Sequence, residues 1–161
     1  MEMASVAEER GASPEQLAII EDGEISFDEY QVAVTRTVDC LRSADIDVIG
    51  TGVSSPRGFP EIRYSYSTSS PGRTEAETDA IAQECIMSNS LFVESLYQES
   101  PVAQEARDLY FEPYRDSVVA CLRDNGVEVD DDVARVVAER LIGELMMETG
   151  VSCLSGYSPG G

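Results

Sequence analysis

The chain has 161 residues and a formal charge of −20, which comes from 31 acidic residues against 11 basic ones; the bases are all arginine, since the sequence contains no Lys and no His. Without His the commonest general base and metal ligand are missing, and without Lys neither Schiff-base chemistry nor a P-loop is available. The charge excludes the basic footprint that nucleic acid requires, and no apolar run approaches the roughly 20 residues of a membrane-spanning helix. We expect no cofactor, no metal, no nucleic acid and no membrane span.

The first predicted elements follow a flexible N-terminal segment over residues 1–12. The stretch "IIEDGEISFDEYQ" over 19–31 resembles half of a calcium loop, with Gly23 at its sixth position and Glu29 at its twelfth. The first and third positions then fall on Ala18 and Ile20, which supply no oxygen ligand, so a calcium site is rejected. Ser26 and Glu29 instead form a capping box that predicts a helix start. Ser13 and Thr74 start the same pattern, each followed by Gln or Glu three residues later.

A helix and then a hairpin are predicted next. Apolar residues recur at three- and four-residue steps from Phe27 to Leu41, which is typical of a helix with one buried stripe. Over residues 46–67 the pattern changes to β-branched residues, a Gly/Ser/Pro loop and strict alternation, in which Ile62, Tyr64 and Tyr66 share one face. This predicts a β-hairpin with a long loop.

The rest of the chain is predicted to be helical. Thr74 starts one helix and Ser100-Pro101 another, which Pro113 interrupts. Asp130, Asp131 and Asp132 are expected in the first turn of the last helix, where the helix dipole favours acids, and not as a cation site. Residues 155–161 are expected to be a disordered tail. The fold class predicted is therefore α+β: a mostly helical single domain over 13–154 with one β-hairpin.

The four cysteines are Cys40, Cys85, Cys121 and Cys153. Their wide spacing contains no C-x-x-C pair, so a zinc knuckle and a thioredoxin-type redox pair are not indicated. An even number favours two structural disulfides, with three pairings possible, and disulfides indicate export from the reducing cytosol. Four buried free thiols in a cytoplasmic protein are the alternative. The acidic start "MEMASVAEER" shows no signal peptide, so either a signal has been removed or the protein is intracellular.

One stretch departs from the acidic background and is the candidate binding surface. Arg57, Arg63 and Arg73 flank Tyr64 and Tyr66, and Arg beside Tyr on an exposed strand suits an acidic or sugar-like partner surface. In a second interpretation the tyrosines form the buried face of the hairpin. In a third, an edge strand of the hairpin is offered to a partner.

Two nine-residue segments are similar to each other: "CLRSADIDV" at 40–48 and "CLRDNGVEV" at 121–129. Both place a Cys in the last turn of a predicted helix, followed by turn residues and a short extended segment. The similarity indicates a duplicated scaffold or a chance likeness between two helix ends.

The run "IEDGEISFDEYQVAVTRTVDCLRSADIDV", with "ECI" and "ACLRDNGVEV" later, resembles small secreted or lipid-anchored actinobacterial proteins of unknown function. The resemblance covers most of the chain from about residue 13. It implies an exported location and disulfides that join Cys40 with Cys85 and Cys121 with Cys153. It implies no catalytic residues.

We therefore expect a non-catalytic binding or structural protein, secreted or in the cell envelope, whose partner is an unidentified protein or envelope component. The first alternative is an intracellular acidic protein of the immunity or nucleic-acid-mimic type that blocks a basic partner. The second is a hydrolase that uses a pair of carboxylates, such as Glu75 and Asp79 on one helical face.

Overall fold

The computed structural model describes residues 2–154 and 156–158 and has the predicted class: helices, one two-stranded antiparallel hairpin and two disulfides. The helices are α1 (Glu2–Glu9), α2 (Pro14–Ile20), α3 (Phe27–Ser43), α4 (Glu75–Asn89), α5 (Leu91–Glu99), α6 (Pro101–Phe111), α7 (Arg115–Asp124) and α8 (Arg135–Thr149), with a single 3-10 turn over Glu112–Tyr114. The strands are β1 (Val48–Ser54) and β2 (Glu61–Tyr66).

The chain divides into two compact units, and the single domain over 13–154 stays a prediction. The first unit comprises the chain up to Ser55 together with Pro60–Ala103. The second comprises Pro56–Phe59 and the chain from Gln104 onward. The two disulfides fall in different units, and each lies wholly within one of them.

The first unit is organised by α3. Its start is the predicted capping box: the Ser26 hydroxyl accepts the Glu29 N–H, and the Glu29 carboxylate accepts the Ser26 N–H. The predicted stripe is buried along the helix, with Tyr30 and Leu41 fully enclosed. At the far end of α3, Leu41 belongs to a small apolar cluster with Ile46, Ala82 and Cys85, which the disulfide Cys40–Cys85 joins to α4.

A buried glutamine holds α2 and α5 together. Ser13 caps α2 as predicted, because its hydroxyl accepts the Gln16 N–H. The Gln16 side chain does not return to Ser13; it is fully buried, donates to the Met87 carbonyl at 2.8 Å and accepts the Phe92 N–H at 2.8 Å. Since Ser90 makes no side-chain cap on α5, Gln16 satisfies an N–H that the start of every helix leaves without an intrahelical partner.

The second unit has its own apolar core and a buried arginine. The side chains of α7, α8 and the chain after α8 surround Phe111, Leu122 and Ile142. Arg135, with a 5% exposed side chain, donates to Asp108 at 2.7 Å and to Glu139 at 2.9 Å. A buried charge needs such partners, because leaving it unpaired costs several kcal/mol.

The two similar segments of sequence form the same helix end. At the end of α3 the Asp45 N–H bonds to the Arg42 carbonyl and the Ile46 N–H to the Leu41 carbonyl. At the end of α7 the N–H groups of residues 126 and 127 bond to the carbonyls of 123 and 122 in the same pattern. In both, the residue after the cap has a positive φ: 55° at Asp45 and 82° at Gly126. This is the Schellman arrangement, and each copy has its disulfide in the preceding turn.

Three predicted boundaries differ from the structure. Helix α1 lies within the segment expected to be flexible. Helix α8 begins at Arg135, so the three Asp residues lie in the turn before it, where Asp131 pairs with Arg123 at 2.7 Å. In the expected tail, Ser155 and 159–161 lie outside the described residues, while Tyr157 is buried in the second core and donates to Glu139. The aromatic ring of Tyr157 gives this end of the chain apolar area to bury. The sequence does not indicate this, because the residues next to Tyr157 are polar or Gly and Pro.

Candidate binding groove

The tyrosines of the predicted binding surface lie on the inner face of the hairpin. Tyr64 and Tyr66 pack against the apolar cluster at the end of α3, and burial raises the pKa of Tyr64 to about 12. The Tyr66 hydroxyl donates to Asp79 at 2.8 Å. These contacts agree with the second interpretation, in which the tyrosines are the face that the hairpin buries.

The arginines of that predicted surface are in three different places. Arg63 alternates with the tyrosines along β2 and is exposed on the opposite face. Arg73 donates to the Ala44 carbonyl at the end of α3. Arg57 belongs to the second unit, where its guanidinium lies 5.4 Å from the ring centroid of Phe59. Within the first unit, Arg63 therefore lies on the face opposite the two tyrosines, and Arg73 lies at the end of α3.

A groove of about 300 Å³ lies between α3 and the hairpin. Its floor is apolar, because Val34 and Val38 of α3 are buried there and Ile62 of β2 closes it from the sheet side. Val53 stands on the same inner face, opposite Ile62, yet it is 55% exposed. An inner-face valine is this exposed because the groove beneath it is open. The polar residues of the lining are Gln31, Thr35, Arg42 and Thr51.

One edge of the hairpin is closed by a tyrosine. The Tyr30 hydroxyl donates to the Ile62 carbonyl at 3.2 Å and accepts the Ile62 N–H at 3.1 Å. The N–H and C=O of one strand residue point to the same side, so at Ile62 both groups face away from β1. Tyr30 therefore occupies the position that a third strand next to β2 would need.

The other edge of the hairpin is open. Val53 lies directly opposite Ile62, and in an antiparallel pair of this kind both residues turn their backbone groups outward. The N–H and C=O of Val53 therefore point to the free side of β1, where the described part of the chain places no further strand. A break in pairing between Ile49 and Gly52, with a φ of 65° at Gly50, limits the regular part of this edge to its last residues.

The charge of the groove differs from that of the rest of the chain. Among the described residues that line it, none is Asp or Glu, and Arg42 is cationic. The Arg42 side chain is 58% exposed and lies 4.0 Å from Asp39, a separation at the limit of an ion pair. The chain as a whole has a net charge of −20, but the groove presents a positive side chain to a partner and has no carboxylate in its described lining.

No family model, curated protein or solved structure matches the chain.

Two carboxylates of the first unit, Glu61 and Glu94, are close enough for their charges to interact. Burial raises the pKa of Glu94 above its ordinary value, and the charge of Glu61 adds to the shift. Glu61 is itself buried and accepts a hydrogen bond from Gln98 at 3.1 Å. Of the pair proposed from the sequence, Asp79 is bonded to Tyr66. Within the described residues, no group of three or more His, Cys, Asp or Glu side chains is placed to hold a metal ion.

Sequence reasoning missed the groove, although part of its signal is visible. Residues 31, 35, 38 and 42 follow helical spacing along α3, next to the buried stripe, and they are not acidic. Strand β1 contains two glycines and is exposed along nearly its whole length, which is typical of an edge strand. That the two surfaces meet follows only from the position of the hairpin over α3.

Proposed function

We propose that the protein is a non-catalytic binding protein of an oxidising compartment, secreted or in the cell envelope, and that it binds a segment of a partner protein in the groove between α3 and β1. The observation that carries the proposal is the combination of an apolar floor, an inner-face valine left exposed and a strand edge whose backbone groups point outward. Peptide-binding proteins use the same combination: backbone groups on an open edge provide affinity, and adjacent pockets provide specificity.

Several features support this function over catalysis. The groove is at the lower end of the volume range of small-molecule sites, which fits a few side chains of a peptide. Its polar lining consists of Gln, Thr and Arg side chains, which bind and orient but are poor proton carriers at neutral pH.

Two disulfides suggest an oxidising, extracellular environment, and among the described residues no helix has the length and apolar character to cross a membrane. In the proposed role the disulfide Cys40–Cys85 fixes the end of α3, and with it one wall of the groove. Placement in the envelope is consistent with the resemblance to exported actinobacterial proteins and belongs to the proposal.

The function is tested with a phage-displayed library of random linear dodecapeptides. The library is selected on the wild-type protein and counter-selected on a Thr35→Trp variant, whose indole would fill the groove from an exposed helix position. We expect peptides that bind the wild type and bind Thr35→Trp at least about tenfold more weakly. A selection that returns only peptides binding both proteins equally would contradict a binding role for the groove.

The compartment is tested separately by trapping free thiols in the native source before lysis. We expect all four cysteines to be blocked from alkylation until a reductant is added. Alkylation of the four thiols without reductant would place the protein in the cytoplasm and favour the acidic, partner-blocking alternative.

A further inference from the structure

We infer that the occupant of the groove is a short, extended peptide segment that pairs with Val53 on the free edge of β1, places β-branched side chains on the apolar floor, and presents one carboxylate to Arg42. This inference rests on the proposed function and deepens it by naming the conformation and chemistry of the partner segment. Three independent features of the first unit lead to it.

The first feature is the direction of the backbone groups at the open edge. Because Tyr30 occupies the edge of β2 at Ile62, strand addition at this level of the hairpin is restricted to β1. The outward N–H and C=O of Val53 would form a pair of hydrogen bonds with one residue of an added strand. The irregular backbone around Gly50 and Thr51 ends this pairing, so the added strand is short.

The second feature is the position of the groove below that edge. A strand beside β1 turns alternate side chains to the inner face, and there they meet the groove formed by Val34, Val38 and Ile62. Valine, isoleucine and threonine suit this surface, because they favour extended backbone and bury apolar area without a long flexible chain. The remaining side chains of the segment would point outward, so the groove would select less strongly for their identity.

The third feature is charge. The Arg42 guanidinium lies 4.0 Å from the Asp39 carboxylate, which is a long ion pair. A carboxylate on the segment can therefore pair with Arg42 without breaking a close ion pair. A segment with many acids is disfavoured, because the chain as a whole carries −20 and would repel it. The same net charge, together with the irregular edge, argues against a second copy of this chain as the occupant.

The test uses a synthetic form of the peptide that the selection enriches most, with affinity measured by fluorescence anisotropy. We expect the enriched sequences to alternate β-branched with other residues and to contain one Asp or Glu. Methylation of single backbone nitrogens along the peptide is expected to weaken binding at the residue that pairs with Val53 and to be tolerated at its two neighbours, because the N–H groups of those neighbours point away from β1. Equal tolerance of methylation at every position would overturn strand addition.

Two matched pairs of protein variants assign the contacts. Val53→Pro is compared with Val53→Ala. Both remove the branched valine side chain, but proline also removes the outward N–H without breaking a hairpin hydrogen bond, and a further loss of about fivefold is expected. Arg42→Gln is compared with Arg140→Gln, which removes an arginine of similar exposure (60%) that pairs with Glu144 in the second unit. The first is expected to weaken binding by about three- to fivefold at low salt, and the second to leave it unchanged.

The outcomes separate the two proposals. Peptides that lose binding to Thr35→Trp but show no alternation and no dependence on Arg42 would retain the groove as a binding site and overturn the extended, carboxylate-bearing segment. Peptides that fail to distinguish the wild type from Thr35→Trp would overturn both. A concentration-dependent dimer in analytical ultracentrifugation that Val53→Pro abolishes would identify a second copy as the occupant and overturn the peptide.

Discussion

Removal of the disulfide Cys40–Cys85 should lower the stability of the first unit by about 4 kcal/mol. The bridge closes a loop between positions 45 residues apart, and in the chain-entropy model that constraint on the unfolded chain amounts to about 4 kcal/mol at room temperature. Cys85 is buried beside Leu41 and Ala82, so the double variant Cys40→Ala/Cys85→Ala also loses some packing there.

The effect is measured by hydrogen exchange on the amides of α3 and α4, combined with urea denaturation followed by circular dichroism. The matched control is Cys121→Ala/Cys153→Ala, which opens a loop between positions 32 residues apart and should cost the second unit about 3.7 kcal/mol by the same relation. We expect the first variant to weaken protection of α3 and α4 amides, and the second to weaken that of α7 and α8.

Two results would contradict this reasoning. The first is a fall of less than about 1 kcal/mol in the free energy of unfolding of the variant without Cys40–Cys85. The bridge would then add little to the stability that packing already gives the first unit. If the four cysteines of the wild type were alkylated in urea without a reductant, the sulfurs would not be joined in solution, and the argument for an oxidising compartment would be wrong.

Three further predictions concern single side chains. Gln16→Leu should lower the free energy of unfolding by about 2 to 3 kcal/mol in urea denaturation, because it leaves the buried Phe92 N–H without its acceptor; a loss below about 0.5 kcal/mol would contradict a capping role. Asp45→Gly should raise the melting temperature, with a gain of about 0.5 to 1 kcal/mol, because glycine adopts the positive φ without strain, and a decrease would show that the Asp side chain is needed. Glu94→Gln should stabilise the protein at pH 7 and have no effect below pH 4.5. The pKa of Glu94 is raised, so the folded state favours the protonated carboxyl and the wild type loses stability as the pH rises through that pKa. Urea midpoints of variant and wild type that differ equally at both pH values would contradict this.

The sequence predicts best those features that depend on neighbours in the chain. Ser26 and Thr74 start helices through contacts three residues away, and both capping boxes are confirmed. The alternation along β2 predicts which residues face inward, and the similar segments after Cys40 and Cys121 form the same helix end. The two disulfides join the pairs that the resemblance implies.

Features that depend on distant contacts are not visible in the sequence. Gln16 has the spacing of a capping-box residue, but a polar side chain bonds wherever a buried donor and acceptor lie closest, and these lie on α4 and α5. The residues expected to form a binding surface are grouped by composition, whereas alternation along β2 places Arg63 and Tyr64 on opposite faces of the strand. The groove itself arises where the hairpin lies over α3, which no local pattern encodes.

The single hydroxyl of Tyr30 also has a consequence for stoichiometry. A sheet with two open sides could add strands in either direction and polymerise into a filament, whereas here one side is already closed at Ile62. At the level of Ile62 the hairpin therefore leaves only the β1 side for an added strand, and in the proposed binding role titration with a partner segment should saturate at one equivalent.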